Sequence, residues 1–166
     1  MNTLTPPSSS LVRTPEAVLK QVFGYSEFRD GQKMVIDAAI NGQDSLVLLP
    51  TGGGKSVCYQ IPALVLEGVT IVISPLISLM QDQVTQLQAL GVKAAYINNS
   101  LAREEQQQVY QQLHQGLIKL LYVAPEKVLQ REFLERLSHL KISLFAIDEA
   151  HCVSHWGTIL DPTTFV

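Results

Sequence analysis

The fold is decided by the stretch Leu46-Val-Leu-Leu-Pro-Thr-Gly-Gly-Gly-Lys-Ser56, in which an apolar run leads into three glycines, a lysine and a serine. A helix-forming segment follows at once, so the order is strand, glycine-rich loop and helix N-terminus. Glycine lets the backbone curl close to an anion and direct successive N–H groups at phosphate oxygens. We therefore predict a phosphate-binding loop that ends at Ser56.

Each residue of this loop has a chemical task in binding ATP with Mg²⁺. Lys55 places a cation at the β and γ phosphates, and the hydroxyl of Ser56 offers an oxygen ligand to the metal. The common form of the loop has glycine where this chain has Leu49. The alternative, a flexible turn before a surface lysine, is disfavoured because a strand and a helix flank the loop. The residues predicted to bind the nucleotide here are Thr51, Gly52, Gly53, Gly54, Lys55 and Ser56.

On both sides of this loop the chain alternates between short apolar runs and helical patterns. Several runs are apolar at consecutive positions, which suits strands covered on both faces of a parallel sheet. The predicted strands are 45–49, 69–73, 93–97, 117–123 and 143–147. The predicted helices between them are 56–66, 79–90, 103–115 and 133–140. This rhythm predicts an α/β fold with a doubly wound parallel sheet and right-handed crossovers.

Two further helices are predicted ahead of the loop. Thr14 precedes Pro15 and Glu16, the arrangement of a hydroxyl cap, a proline in the first turn and an acid near the positive helix end. The segment 32–40 repeats the apolar periodicity and closes on Asn41-Gly42, which is typical of a left-handed turn.

An acidic pair follows the last predicted strand. Asp148 and Glu149 stand at its carboxyl end, the edge at which ligands bind in open α/β sheets. Asp148 is predicted to hold Mg²⁺, and Glu149 to orient and deprotonate a water molecule. His151 is predicted to sense the γ-phosphate. Alone, Asp-Glu-Ala-His could be a solvated turn, but the phosphate loop in the same βα series favours the catalytic interpretation.

An aromatic and polar segment precedes the loop and suits an adenine base. Tyr25 could stack on the ring, Arg29 offers a guanidinium, and Gln32 can donate to and accept from the base edge together.

Composition excludes several classes of protein. The chain of 166 residues is 46% hydrophobic and 16% charged, which fits one globular domain rather than a disordered or collagen-like chain. No apolar run approaches the roughly 20 residues that span a bilayer, and the first ten residues lack a secretory signal, so a cytoplasmic or nucleoid location is expected. The net charge of -3 is not that of a typical basic nucleic-acid binder. His114, His139, Cys58 and Cys152 are interpreted as structural.

These motifs, with the run His151-Cys-Val-Ser-His-Trp-Gly157, resemble the RecQ family of DNA helicases over about residues 23 to 157. The resemblance implies the first RecA-like lobe of a 3′ to 5′ DNA helicase that uses ATP and Mg²⁺, with single-stranded or forked DNA as partner. It implies DNA contacts in the segments 74–83 and 124–126, for which the alternatives are a strand end with an amphipathic helix and a turn. Leu79 and Val84 are expected in the core. The nucleic-acid residues it implies are Ser74, Pro75, Gln81, Pro125 and Trp156.

The sequence departs from the family pattern at two places. His155 stands where the family has Gln, and after Gly157 the chain continues Thr158-Ile-Leu-Asp-Pro-Thr-Thr-Phe-Val166 instead of the family's His-Asp-Phe-Arg. We expect a lead-in at residues 1–13, a helicase ATP-binding domain at 14–157 and an atypical tail at 158–166.

Three functions remain open at this point. The first is the ATP-binding lobe of an ATP-dependent DNA helicase, which is expected to be incomplete, to bind DNA weakly and not to unwind it alone. The second possibility is a truncated module that binds nucleotide or DNA without catalysis. A small-molecule P-loop kinase is disfavoured by the adenine segment and by the Asp-Glu-Ala-His motif.

Overall fold

A computed structural model describes residues 14–29, 31–42 and 56–147 of the chain. Their helices are α1 (Pro15–Gln21), α2 (Gln32–Ile40), α3 (Val57–Val65), α4 (Ile77–Ala89), α5 (Arg103–His114), α6 (Pro125–Val128) and α7 (Arg131–Leu137). Their strands are β1 (Val69–Ile73), β2 (Ala94–Ile97), β3 (Leu120–Val123) and β4 (Ile142–Ile147). Among these helices none is both long and apolar enough to cross a membrane.

The four strands form one parallel sheet in the order β2-β3-β1-β4. They end level, since Val123 pairs with both Ile97 and Ile73, and Ile73 pairs with Ile147. All four carboxyl ends therefore meet at one edge, where open α/β sheets bind ligands.

Two hydrophobic clusters cover the two faces of this sheet. One joins α1, α2, α3 and α4 to the strand face that carries Val72, Leu120 and Tyr122. The other joins α5, α6 and α7 to the face that carries Ile71 and Leu121. Alternate strand residues thus point into opposite cores, and the predicted doubly wound, three-layer α/β fold is confirmed.

The N-terminal helices begin as their sequence predicts. The Oγ1 atom of Thr14 accepts a hydrogen bond from the N–H of Ala17 at 3.1 Å, with proline in the first turn of α1. Helix α2 has the predicted bounds and is followed by Gly42 at φ +75°. Val84 lies in the core as expected, whereas Leu79 is half-buried.

Several boundaries differ from those predicted. Strand β3 begins at Leu120 rather than at Leu117, helix α4 begins at Ile77 rather than at Leu79, and α7 runs 131–137 rather than 133–140. The short helix α6 was interpreted only as a turn or a DNA contact. The predicted strand 45–49 lies outside the described residues.

Candidate nucleotide-binding site

A cavity of about 330 Å³ lies between the α1–α2 connection, the start of α3 and one face of α4. This volume is at the lower end of the range typical of small-molecule sites, about 300 to 1,000 Å³. Four residues that the sequence assigned to the nucleotide line it together: Tyr25, Arg29, Gln32 and Ser56. The structure therefore brings the predicted adenine segment next to the end of the predicted phosphate loop.

Gln32 is the buried member of this group, with 8% of its surface exposed. Its Oε1 atom accepts a hydrogen bond from the N–H of Arg29 at 2.7 Å. The backbone N–H of Gln32 donates in return to the carbonyl of Arg29 at 3.1 Å. Gly31 permits this turn because its φ of +82° lies in the left-handed region that other residues rarely adopt. The amide of Gln32 is therefore held in one orientation at the wall of the cavity.

Tyr25 is available for stacking, with 54% of its surface exposed. Its backbone N–H donates to the carbonyl of Leu19 at 3.1 Å, which ties the aromatic residue to helix α1. Arg29 is also exposed and lines the same cavity. An exposed aromatic ring, a guanidinium and an oriented amide are the groups that an aromatic base with polar edges requires.

Ser56 stands at the N-cap of α3, and its carbonyl accepts from the N–H groups of Tyr59 and Gln60. Within the described chain its side chain makes no capping hydrogen bond, and the residue lines the cavity. A serine hydroxyl in this place suits the predicted role as a ligand of Mg²⁺. The other predicted loop residues, Thr51, Gly52, Gly53, Gly54 and Lys55, lie outside the described residues.

The opposite wall was not predicted from the sequence. It carries three side-chain amides, Gln60 from α3 and Gln83 and Gln86 from α4, together with Leu87 and Leu90. The sequence could have indicated Gln60 as a site residue, since Gln60 is the only polar side chain besides Tyr59 and Cys58 in the apolar helix Val57–Val65. A buried amide in such a helix requires a hydrogen-bond partner.

Two of the predicted DNA-binding segments lie side by side at the carboxyl edge of the sheet. Ser74 directly follows β1, and its N–H donates to the carbonyl of Val123 at the end of β3 at 3.0 Å. Pro125 begins α6 two residues after Val123. Ser74 itself is only 1% exposed, and its hydroxyl accepts from the N–H of Leu76 at 3.5 Å, so this side chain shapes the turn. Gln81 is exposed on α4.

The predicted catalytic pair follows a strand that ends at the same edge. Strand β4 ends at Ile147, beside Ile73 of β1, and Asp148 is the next residue of the chain. Asp148, Glu149, His151 and Trp156 lie outside the described residues, so their roles remain predictions. Within the described part of the chain, no group of three or more His, Cys, Asp or Glu side chains could hold a metal ion.

Burial shifts the pKa of three titratable side chains in the described core and raises that of the Tyr110 phenol. Burial raises the pKa of the Cys58 thiol, which suits a structural cysteine. Desolvation lowers the pKa of Lys127, whose Nζ donates to Gln106 Oε1 at 2.8 Å and joins α6 to α5.

Comparison with known proteins decides the family. The model of the family described as DEAD/DEAH box helicase matches residues 29–161, most of the chain. This chain belongs to the DEAD/DEAH box helicases. The match begins at Arg29 and so includes Arg29, Gln32 and Ser56 of the cavity.

Similar proteins confirm the resemblance to the RecQ family. The ATP-dependent DNA helicase RecQ of Haemophilus influenzae is 57% identical over 92% of this chain and 25% of its own length. The probable ATP-dependent DNA helicase RecS of Bacillus subtilis is 48% identical over 86% of this chain and 28% of its own length. The chain thus spans about a quarter of the length of these relatives.

A solved structure supports the same fold for this chain. The crystal structure of a hypothetical ATP-dependent RNA helicase from Sulfolobus tokodaii matches with a TM-score of 0.66 and 22% identity, over 87% of this chain and 43% of that one. At this identity the likeness supports the fold alone.

Proposed function

We propose that this chain is the ATP-binding lobe of an ATP-dependent DNA helicase that moves 3′ to 5′ on DNA and acts in recombination, repair and replication. The observation that carries the proposal is the cavity, in which Tyr25, Arg29 and Gln32 face the same space as Ser56. Relatives named ATP-dependent DNA helicases, at 57% and 59% identity, support it. The lobe corresponds to residues 14–157, between a lead-in at 1–13 and a tail at 158–166.

In this proposal one group of residues binds the nucleotide. Gln32 reads the adenine edge, Tyr25 and Arg29 stack on the ring, and the loop from Thr51 to Ser56 surrounds the phosphates. Lys55 neutralises phosphate charge, and Ser56 and Asp148 supply oxygen ligands to Mg²⁺. The bound metal and triphosphate would supply an activated phosphoryl group.

A second group of residues serves hydrolysis and DNA binding. Glu149 orients the attacking water, and His151 responds to the γ-phosphate. Pro75, Gln81, Pro125 and the turn at Ser74 lie along single-stranded DNA, and Trp156 offers a ring for base stacking. The location that fits this role is cytoplasmic, associated with the nucleoid if the cell is bacterial.

Strand separation is proposed for a protein of the relatives' full length and not for these 166 residues alone. The second motor lobe of such enzymes supplies an arginine that can contribute about 10³ to 10⁵ in rate at related phosphoryl-transfer sites. We therefore expect the isolated chain to bind DNA weakly, to hydrolyse ATP slowly and to leave duplex DNA intact. The second candidate is a module that binds nucleotide or DNA without any turnover.

The deciding experiment measures binding of a fluorescent, non-hydrolysable ATP analogue to the purified chain, with Mg²⁺ or with a chelator. We expect Lys55→Ala to weaken binding by about 10-fold to 100-fold, since bonds to charged groups contribute about 1.5 to 3 kcal/mol. Lys93→Ala is the matched control, because Lys93 is exposed just before β2, at the amino end of the sheet. A folded chain with no magnesium-dependent affinity for the analogue would overturn the proposal.

A turnover assay separates the two candidates. Phosphate release that rises with single-stranded DNA and disappears in Lys55→Ala supports the helicase lobe. Analogue binding without any release above background supports the module that does no catalysis.

A further inference from the structure

Four polar side chains form a buried hydrogen-bonded path beneath the cavity. The Nε2 atom of Gln60 donates to the hydroxyl of Tyr122 at 3.1 Å. The hydroxyls of Tyr122 and Tyr59 are 3.3 Å apart, and the hydroxyl of Tyr59 donates to Gln83 Oε1 at 2.8 Å. The two rings meet edge to face, with centroids 6.3 Å apart. The path therefore links α3, the central strand β3 and α4.

The direction of the hydrogen bonds along this path follows from the number of protons. A phenol has one O–H hydrogen, and that of Tyr59 points to Gln83. The bond between the phenols must then be donated by Tyr122, which accepts from Gln60 at the same oxygen. All three bonds run the same way, from Gln60 to Gln83, and aligned bonds of this kind polarise one another.

Both ends of the path lie at the wall of the cavity, because Gln60 and Gln83 both line it. The two tyrosines in the middle are covered: Tyr122 is 0% exposed and Tyr59 is 7% exposed. A ligand that contacts either amide would therefore act on a network whose centre is closed to solvent.

Helix α4 connects this path to the carboxyl edge of the sheet. Gln83 lies six residues after Ile77, the first residue of α4, and the turn at Ser74 to Leu76 immediately precedes that residue. The other core contacts of α4 come from Met80, Val84 and Leu87, which are apolar. Apolar contacts are not directional, whereas a hydrogen bond fixes the position of its partners. The bond from Tyr59 thus ties Gln83 of α4 to α3, whereas the bond from Gln88 to the carbonyl of Ala94 ties the last turn of the same helix to β2.

We propose that the path Gln60–Tyr122–Tyr59–Gln83 couples occupancy of the cavity to the position of α4, so that nucleotide and single-stranded DNA change each other's affinity. Tyr59 and Tyr122 are positioning residues, and the inference rests on the proposed function. Such coupling is reciprocal, and its typical size is about 5-fold to 150-fold in affinity.

The test measures the affinity of the purified chain for the fluorescent ATP analogue with and without a single-stranded DNA oligonucleotide. The ratio of the two dissociation constants reports the coupling, and we expect at least about fivefold in the unaltered chain. Tyr59→Phe removes one hydroxyl and keeps the ring, so the ratio falls towards one while affinity without DNA changes little. Gln83→Met breaks the same bond from the half-exposed end and decides the matter if Tyr59→Phe does not fold.

Gln88→Met is the matched control on the same helix. Its Nε2 atom donates to the carbonyl of Ala94 at 3.0 Å, away from the cavity, so the ratio is expected to stay at its original value. The inference would be overturned if the unaltered chain does not bind DNA or has a ratio near one. It would also be overturned if the ratio is unchanged in folded Tyr59→Phe or Gln83→Met, or if Gln88→Met lowers it equally. In each case the proposed nucleotide site still stands, whereas that site fails only if the unaltered chain does not bind the analogue.

Discussion

Gln32 and Arg29 are hydrogen-bonded to each other twice, from Arg29 N to Gln32 Oε1 at 2.7 Å and from Gln32 N to Arg29 O at 3.1 Å. The pair holds the amide of Gln32 at the cavity wall before any ligand arrives. An oriented group loses less conformational entropy on binding than a mobile one, so this arrangement favours selective recognition.

Replacing Gln32 should therefore reduce the preference for adenine. Gln32→Met keeps the length of the side chain but removes its donor and acceptor, and we expect ATP affinity to fall about 10-fold to 100-fold, the equivalent of one or two good hydrogen bonds. Competition of ATP and GTP against the fluorescent analogue measures the preference. Gln112→Met on the exposed side of α5 is the control, and an unaltered preference in Gln32→Met would contradict the assignment.

The left-handed conformation of Gly31 allows a prediction that separates stability from binding. Gly31 and Gly91 have φ values of +82° and +81°, and a Cβ on either would meet open space. Gly31→Ala and Gly91→Ala should each cost about 1 to 2 kcal/mol and lower Tm by about 2 to 4 °C per kcal/mol. Only Gly31→Ala should also weaken binding of the analogue, because the turn at Gly31 orients the cavity residue Gln32, whereas Gly91 holds no such turn and lies outside the cavity lining. Equal effects of both variants on binding would refute this role of the turn.

Gly68 should tolerate alanine far less well than Gly116 does. Both have positive φ, but a Cβ on Gly68 would lie 2.5 Å from the backbone oxygen of Lys141, whereas one on Gly116 meets nothing within 4 Å. We expect Gly68→Ala to cost at least about 2 kcal/mol more than Gly116→Ala, since a backbone clash adds to the strain. Thermal unfolding followed by circular dichroism gives the comparison, and similar Tm values for the two variants would show that the strand ends separate easily.

Cys58 should react slowly with alkylating reagents. The thiol is 5% exposed, and burial raises its pKa, so the thiolate that reacts is scarce near neutral pH. Mass spectrometry after iodoacetamide treatment should find Cys58 unmodified in the folded chain and modified in urea, with the native rate rising as pH increases. Fast labelling in the folded chain at pH 7 would contradict a structural role.

The sequence pattern predicted the bounds of helices and strands best where the apolar periodicity matches the burial seen in the structure. Strand β1 is buried at all five positions, and its predicted bounds match those observed. Strand β3 starts later than predicted because Leu117 serves the end of α5: its N–H donates to the carbonyl of Gln112 at 2.9 Å, and Gly116 donates to Leu113. These two bonds are typical of a helix that ends on a left-handed glycine. The apolar run from Leu117 onward looks like strand, so the sequence pattern does not show this helix ending.

The candidate site was predictable in part for a similar reason. Tyr25, Arg29 and Gln32 are close in sequence, so their chemistry could be interpreted together. The opposite wall depends on how α4 packs against α3, and the bond between Tyr59 and Gln83 joins residues 24 positions apart. No periodicity shows which face of α4 meets a cavity, so Gln86 was missed, and Gln83 was expected only within the DNA-contacting segment 74–83.

Helices α1 and α2 contribute buried side chains to the same cluster as α3, notably Val18, Leu19 and Ile36. The segment proposed to recognise the base therefore also covers α3, the helix that follows the predicted phosphate loop. A shortened variant that begins just before the three glycines would lack α1 and α2. We expect it to lose the preference for one base and to expose the apolar surface of α3, so poor solubility and lost ligand preference should appear together.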